Sequence, residues 1–157
     1  MSEEKTNVMR VLDQKKVPYL PHHYPTGGAL DGVSVAAMVG QDPARVFKTL
    51  VTVGASKQYY VFVIPVAAEL DLKAAARAVG EKSIAMLKQA QLLPLTGYVH
   101  GGCSPIGMKK RFPTVLDSSA REQPSMTVSA GKIGAQVEVA PADLAELINA
   151  RFAPVTA

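Results

Sequence analysis

The stretch RVFKTLVTVGASKQYYVFVIPV, residues 45–66, decides the fold class. Its two arms, 45–53 and 59–66, are rich in Val, Phe, Tyr and Thr, side chains that suit a pleated, half-buried surface. Between them Gly54-Ala55-Ser56-Lys57 supplies a hairpin loop. The two arms are therefore expected to pair as antiparallel strands. Side chains alternate along a strand, so Lys48 shares a face with Val46, Leu50 and Thr52. By pattern alone, a lysine in that company is an edge or snorkelling lysine.

Upstream, Val8, Val11 and Leu12 recur at helical spacing over residues 7–16, with Thr6 as cap and Pro18 as stop. Residues 19–24 read as a proline-limited edge strand, and Thr26-Gly27-Gly28 begins a loop. A short helix over 34–39 ends at Gly40, and Asp42-Pro43 opens a single turn.

Downstream, Asp71 caps a helix with Leu72, Ala75, Ala76 and Val79 on one face, closed by Gly80. Ser83 is expected to start another, with Ile84 and Leu87 inward and Pro94 as its stop. Residues 98–101 read as a short strand leading into the glycine-rich loop Gly101-Gly102-Cys103-Ser104-Pro105-Ile106-Gly107. Residues 112–116 and 125–129 are further strands. Gly131-Lys132-Ile133-Gly134 joins the latter to a strand over 135–139. Pro141 opens a last helix with Leu144, Leu147 and Ile148 on its apolar side. Strand and helix do not alternate regularly. The expectation is one α+β domain over residues 1–157, with a mixed, mostly antiparallel sheet that curls or closes into a barrel, surrounded by helices.

The bulk properties agree with a single domain. At 157 residues a chain buries roughly two thirds of its unfolded surface, enough for a core without staples. The one cysteine, Cys103, excludes an intrachain disulfide and fits a reducing compartment. The first ten residues lack the basic flank and apolar run of a signal peptide, and no apolar stretch approaches the ~20 residues of a membrane helix. A cytoplasmic protein is expected. The net charge of +4 permits an anionic partner such as RNA without requiring one.

Several chemistries fail on spacing. Residues 102–109 mimic a phosphate loop, but Met108 stands where lysine must follow the second glycine. No dinucleotide fingerprint follows a strand. His22, His23, His100 and Cys103 carry potential metal donors, yet adjacent His22 and His23 point to opposite faces of a strand. No Cys-x-x-Cys or His-Glu-x-x-His occurs, so neither metal nor other cofactor is expected. There is no Gly-x-Ser-x-Gly elbow, and neither Ser104 nor Cys103 has an evident base.

Three segments carry more when taken together: the strand around Lys48; residues 98–107 with the basic run Lys109-Lys110-Arg111 and Pro113; and Val128-Ser129-Ala130-Gly131-Lys132-Ile133-Gly134. Their ordered combination, over roughly residues 6–152, resembles the YbaK family. These are deacylases related to the editing domain inserted in bacterial prolyl-tRNA synthetases. The resemblance implies release of a mischarged amino acid from the 3′ end of tRNA: cysteine, or alanine in sister groups, from tRNA for proline. It places Lys48 at the family's essential lysine and Gly101 and Pro105 at the fixed points of the Gly-x-x-x-Pro substrate loop, with Gly102, Cys103 and Ser104 between them. It places Tyr24 near the pocket, and Ser129 and Gly131 on the strand-turn that closes it. Gln136 departs from the acid expected there in the cysteine-specific branch. Lys109, Lys110 and Arg111 would contact tRNA phosphates. The implied partners are aminoacyl-tRNA and a prolyl-tRNA synthetase. A non-catalytic aminoacyl-tRNA or synthetase binding module of the same fold, or a deacylase for alanine or another small amino acid, is the alternative.

Overall fold

Residues 47–65 form the expected hairpin in the computed structural model, which describes residues 5–26 and 31–157. The expected Gly27-Gly28 loop lies outside them. Strand β2 (Phe47–Gly54) pairs antiparallel with β3 (Tyr59–Pro65), Lys48 opposite Ile64 and Leu50 opposite Phe62. Before it come α1 (Asn7–Gln14), β1 (Leu20–His23), α2 (Gly32–Met38) and a single 3-10 turn, Pro43–Arg45. The start signals act as expected: Thr6 accepts from the Met9 amide, and Asp42 accepts from the Ala44 amide.

After the hairpin run α3 (Leu72–Val79), β4 (Ile84–Met86), α4 (Gln89–Thr96), β5 (Thr114–Asp117), a 3-10 segment Ser118–Glu122, β6 (Met126–Lys132), β7 (Ala135–Val139), α5 (Pro141–Ile148) and β8 (Arg151–Ala153). Asp71 caps α3 by accepting from Lys73 and Ala74, and Gly80 closes it in the left-handed region at φ 74°.

Three expectations are corrected. Residues 84–86 are strand, not the start of a helix at Ser83. They take up the edge of β2, Ala85 opposite Val53, and Ile84 is buried by that pairing. The helix begins at Gln89 and contains Pro94 rather than stopping there, ending at left-handed Gly97. A helix this short loses one backbone bond to the proline and keeps the rest. Residues 98–101 form no strand. The Gly102 amide donates to Val99 O, which turns the chain, and the buried Tyr98 hydroxyl donates to Ile106 O. β8 was not foreseen; it pairs parallel with β5.

The strands make two sheets. One is antiparallel in the order β1-β7-β6. The other runs β4-β2-β3-β5-β8, parallel only at β3-β5 and β5-β8. A parallel bridge from Val46 to Thr127 joins them. The result is a curled, mostly antiparallel arrangement rather than a closed barrel.

The main core fills the space between the sheets: Phe47, Val51, Val61 and Val63 meet Val128, Val137 and Val139, with Val8 and Leu12 of α1 closing one side. A second cluster, Phe62, Ile64 and Val115 with Ala75 and Ala76, seats α3 on the other face of the hairpin. Each fully buried Leu, Ile or Phe contributes about 1.5–3 kcal/mol relative to exposure. Lys48 lies on that second face, with Leu50 and Ile64.

Candidate active site

Residues directly opposite in a ladder share a face, so the register alone assembles a polar row. Lys48 and Ser129 each lie two residues beyond the isolated Val46–Thr127 bridge, on the same side of their strands as that pair. Ser129 is opposite Gln136, and Gln136 is opposite His22. The row Ser129, Gln136, His22 thus crosses three strands on the side away from the main core, and Lys48 lies on the strand bridged to its edge.

The row beside it is closed on itself. Glu138 accepts from the Ser125 hydroxyl, pairs with His22 Nε2 at 2.8 Å and accepts from Gln41 Nε2 at 3.4 Å, while Thr127 Oγ1 donates to Gln41 Oε1 at 3.1 Å. The Ser125 hydrogen bond, then those from His22 and Gln41, hold the Glu138 carboxyl below the usual carboxylate range. This network ties β1, β7 and β6 to the segment after α2. No sequence signal marks it.

Apart from His22, which Glu138 engages, the Lys48 row is open by comparison. Lys48 is half-buried and makes no hydrogen bond or ion pair among the described residues. Gln136 is only 7 % exposed, and its Oε1 has no partner among the described residues. A buried polar atom left unpaired costs free energy and calls for a ligand or water. Ser129 Oγ accepts from the Gly131 amide at 3.1 Å.

The end of the β6–β7 hairpin carries the glycine loop. A β-bulge falls between Ser129 and Lys132, with Gly131 left-handed at φ 96°. Gly102 packs against that hairpin so closely that a Cβ would sit 2.9 Å from Ile133 N. Tyr24, two residues beyond His22 and half-buried, donates its amide to Gly134 O at the same end. Gly101 is left-handed at φ 88°. The amides of Gly101, Cys103 and Ser104 make no hydrogen bond among the described residues; that of Gly102 is committed to Val99 O.

Other loop groups turn inward. Ser104 is fully buried, its Oγ accepting from the Ile106 amide. Cys103 belongs to the main core, and burial pushes its thiol up to about 12. Burial, then the neighbouring Cys103, pushes the Tyr98 hydroxyl to about 12 as well. Neither Ser104 nor Cys103 is placed as an activated nucleophile. Among the described residues no group of three His, Cys, Asp or Glu could hold a metal ion, and no helix is long and apolar enough to cross a membrane.

The basic run splits. Lys110 and Arg111 line a cavity of about 190 Å³ with Pro105, whereas the Lys109 stem lies over Gly97. Register therefore brings Ser129, Gln136 and His22 to one face, Lys48 lies two residues past the bridge at its edge, and Tyr24, Gly101 and Gly102 lie at its hairpin end. Cys103 and Ser104 present only backbone.

A model of the aminoacyl-tRNA editing domain matches residues 28–147. A curated protein of Enterococcus faecalis, EbsC, provisionally named a Cys-tRNA(Pro)/Cys-tRNA(Cys) deacylase, is 47% identical over 99% of this chain and 95% of its own length. A crystal structure described provisionally as a trans-editing enzyme for prolyl tRNA synthetase superposes with a TM-score of 0.83 at 25% identity, covering 96% of this chain and 94% of that one. The crystal structure of a hypothetical protein matches with a TM-score of 0.87 at 21% identity, over 96% of this chain and 99% of its own, and shows the shared fold. With more than half its length inside the domain model and a full-length relative at nearly half identity, this chain belongs to the aminoacyl-tRNA editing domain family.

Proposed function

We propose that this chain is a cytoplasmic trans-editing deacylase that releases cysteine from mischarged tRNA for proline. The observation that carries the reading is the open row itself: a half-buried cation and an orphaned buried acceptor on one face, beside a loop with free amides. The 47% identical relative, whose name specifies Cys-tRNA deacylation, supports the substrate.

The substrate is an already activated ester, so the barrier to be lowered is modest. Lys48 holds the 3′-terminal phosphate or the ester end through charge-assisted hydrogen bonds. The amides of Gly101, Cys103 and Ser104 face the developing oxyanion, where one good donor is worth roughly 10²–10³ in rate. Glycine at 101 and 102 admits close approach, and Pro105 stiffens the loop's end. Gln136 Oε1 accepts from the substrate's ammonium group, and Tyr24 walls the side-chain pocket. No protein nucleophile is needed. The cysteine thiol attacks its own carbonyl carbon: the C–S bond forms, the bond to the ribose 3′ oxygen breaks, and the thiol proton passes to that oxygen. The products are tRNA and a cyclic thioester. For substrates without a thiol, water attacks and the free amino acid leaves. A size-based pocket discriminates one methylene by only roughly 10–200-fold, so preference for cysteine rests on its thiol. Choice of tRNA is assisted by a bound prolyl-tRNA synthetase.

The test is a deacylation panel with cysteine, alanine, serine and proline each charged on tRNA for proline, run with and without the synthetase. Cysteine is released fastest, and Lys48→Ala abolishes release while the melting curve stays intact. Tight binding with no release of any amino acid identifies a binding module instead. Fastest release of alanine reassigns the substrate.

A further inference from the structure

Arg111 and Phe112 stand where two cavities meet. The one of about 190 Å³ is bounded by Lys15, Lys110 and the end of the glycine loop at Pro105. Its neighbour, of about 650 Å³, continues past Phe112 to Arg151. Both share Arg111, Phe112, Thr114 and Ile148, so they form one groove. Four cations line it, and the carboxylates of Asp143 and Glu146 stand in the adjoining depression that shares Lys15 and Arg111. All four are exposed, and none joins an ion pair among the described residues. The floor is apolar and carries the Phe112 ring, braced edge-on by Tyr59 at 5.7 Å. The adjoining depression beyond Lys15 and Arg111 contains Asp143 and Glu146, which sets an electrostatic boundary on that side.

Exposed cations without ion pairs along a groove match a chain of phosphates, and an aromatic ring in the floor suits an unpaired base. The groove also ends at Pro105, the last residue of the proposed substrate loop. We infer that this groove, lined by Lys15, Lys110, Arg111 and Arg151, binds the RNA backbone of the substrate beside the Gly101–Pro105 loop. The inference rests on the deacylase reading and specifies the surface that takes the body of the RNA. Lys109 lies outside it despite its place in the basic run.

The test measures affinity for fluorescently labelled, uncharged tRNA for proline against potassium chloride concentration. It compares the wild type, Lys110→Ala, Arg111→Ala, Arg151→Ala, their triple combination and Lys82→Ala, an exposed cation outside the groove's lining. Melting curves confirm folding, and Arg111→Lys retains the charge. With a log–log slope of ~0.7 per phosphate on a single strand, each groove contact is worth about fivefold at 0.1 M salt, and the triple variant loses about 100-fold and about two units of slope. Lys82→Ala and Arg111→Lys keep the wild-type slope. A triple variant with the wild-type slope, or a Lys82→Ala loss equal to the groove variants', overturns the inference. So does a triple variant that binds tRNA normally but no longer associates with prolyl-tRNA synthetase, which assigns the groove to a protein. Wild-type release of cysteine is measured alongside. Groove-dependent binding without release removes the deacylase reading and leaves the groove standing.

Discussion

Adding one methyl at Gly102 tests whether the glycine loop acts through its backbone. A Cβ there meets Ile133 N at 2.9 Å, Lys132 C at 3.0 Å and Lys132 Cα at 3.1 Å, all of them backbone or backbone-bound atoms that cannot rotate away. Ordinary contact begins near 3.4 Å, so the loop and the hairpin must part by about 0.5 Å. Gly102 is not left-handed, so the effect is contact and not backbone strain. Overpacking of this kind costs about 1–3 kcal/mol, and at this chain length that lowers Tm by roughly 3–10 °C. Oxyanion donors act only within a narrow distance, and a misplacement of ~1 Å costs about 10² in rate. Half that shift lowers kcat for Cys-tRNA roughly 10-fold or more. Gly40→Ala is the control. Gly40 is left-handed at φ 71° with nothing near its missing Cβ, so alanine there strains the backbone by about 1–2 kcal/mol and leaves kcat alone. Single-turnover release of labelled cysteine, with melting curves on both variants, reads the difference. A Gly102→Ala protein that melts early but reacts at the wild-type rate refutes the backbone role of the loop.

Acid stability should report the Glu138 network. A carboxyl held below its usual value of 4.5 contributes stability that is fully present above that pH and lost as pH falls through the depressed value. Glu138→Gln therefore lowers Tm at pH 7 and narrows the gap in Tm between pH 7 and pH 3; an unchanged gap removes the network from the acid response. Cys103, with its thiol pushed up to about 12, is about 10⁻⁴ thiolate at pH 8 and resists iodoacetamide until urea unfolds the chain; rapid alkylation of the native protein contradicts its burial. Asp71→Ala strips two amide contacts from the start of α3 and costs about 1 kcal/mol in urea unfolding, with kcat unchanged.

What was legible in the sequence was local. The hairpin over 45–66 follows from alternation and a glycine turn, and the caps at Thr6 and Asp71 from a side-chain oxygen placed ahead of a helical pattern. β4 and β8 are three residues each, too short for periodicity to separate from a helix start or a tail. They exist because β2 and β5 leave edges to be paired. The site divides in the same way. Lys48, Ser129 and Tyr24 could be named through the family resemblance, but their adjacency depends on the Val46–Thr127 bridge between distant segments. Gln41, Ser125 and Glu138 carry no motif, and only the register brings them together. Alternation placed Lys48 on a face; it could not say that Ser129 and an orphaned Gln136 share it.

The position of Lys48 follows from a change of partner along one strand. On one edge β2 is bridged to β6 at Val46, then leaves it and is paired with β4 from Thr52 onward. Across the gap β6 bulges between Ser129 and Lys132. A bulge bends its strand and re-aims side chains, and this one begins at Ser129, two residues past the bridge, as Lys48 is on β2. A lysine in a continuous ladder would have apolar neighbours along both flanks. Here it has a polar row on one flank, and Phe62 and Ile64 under α3 on the other. The curl packs the main core on the inner side of the sheets and leaves half-buried on the outer side a charge that has no partner among the described residues.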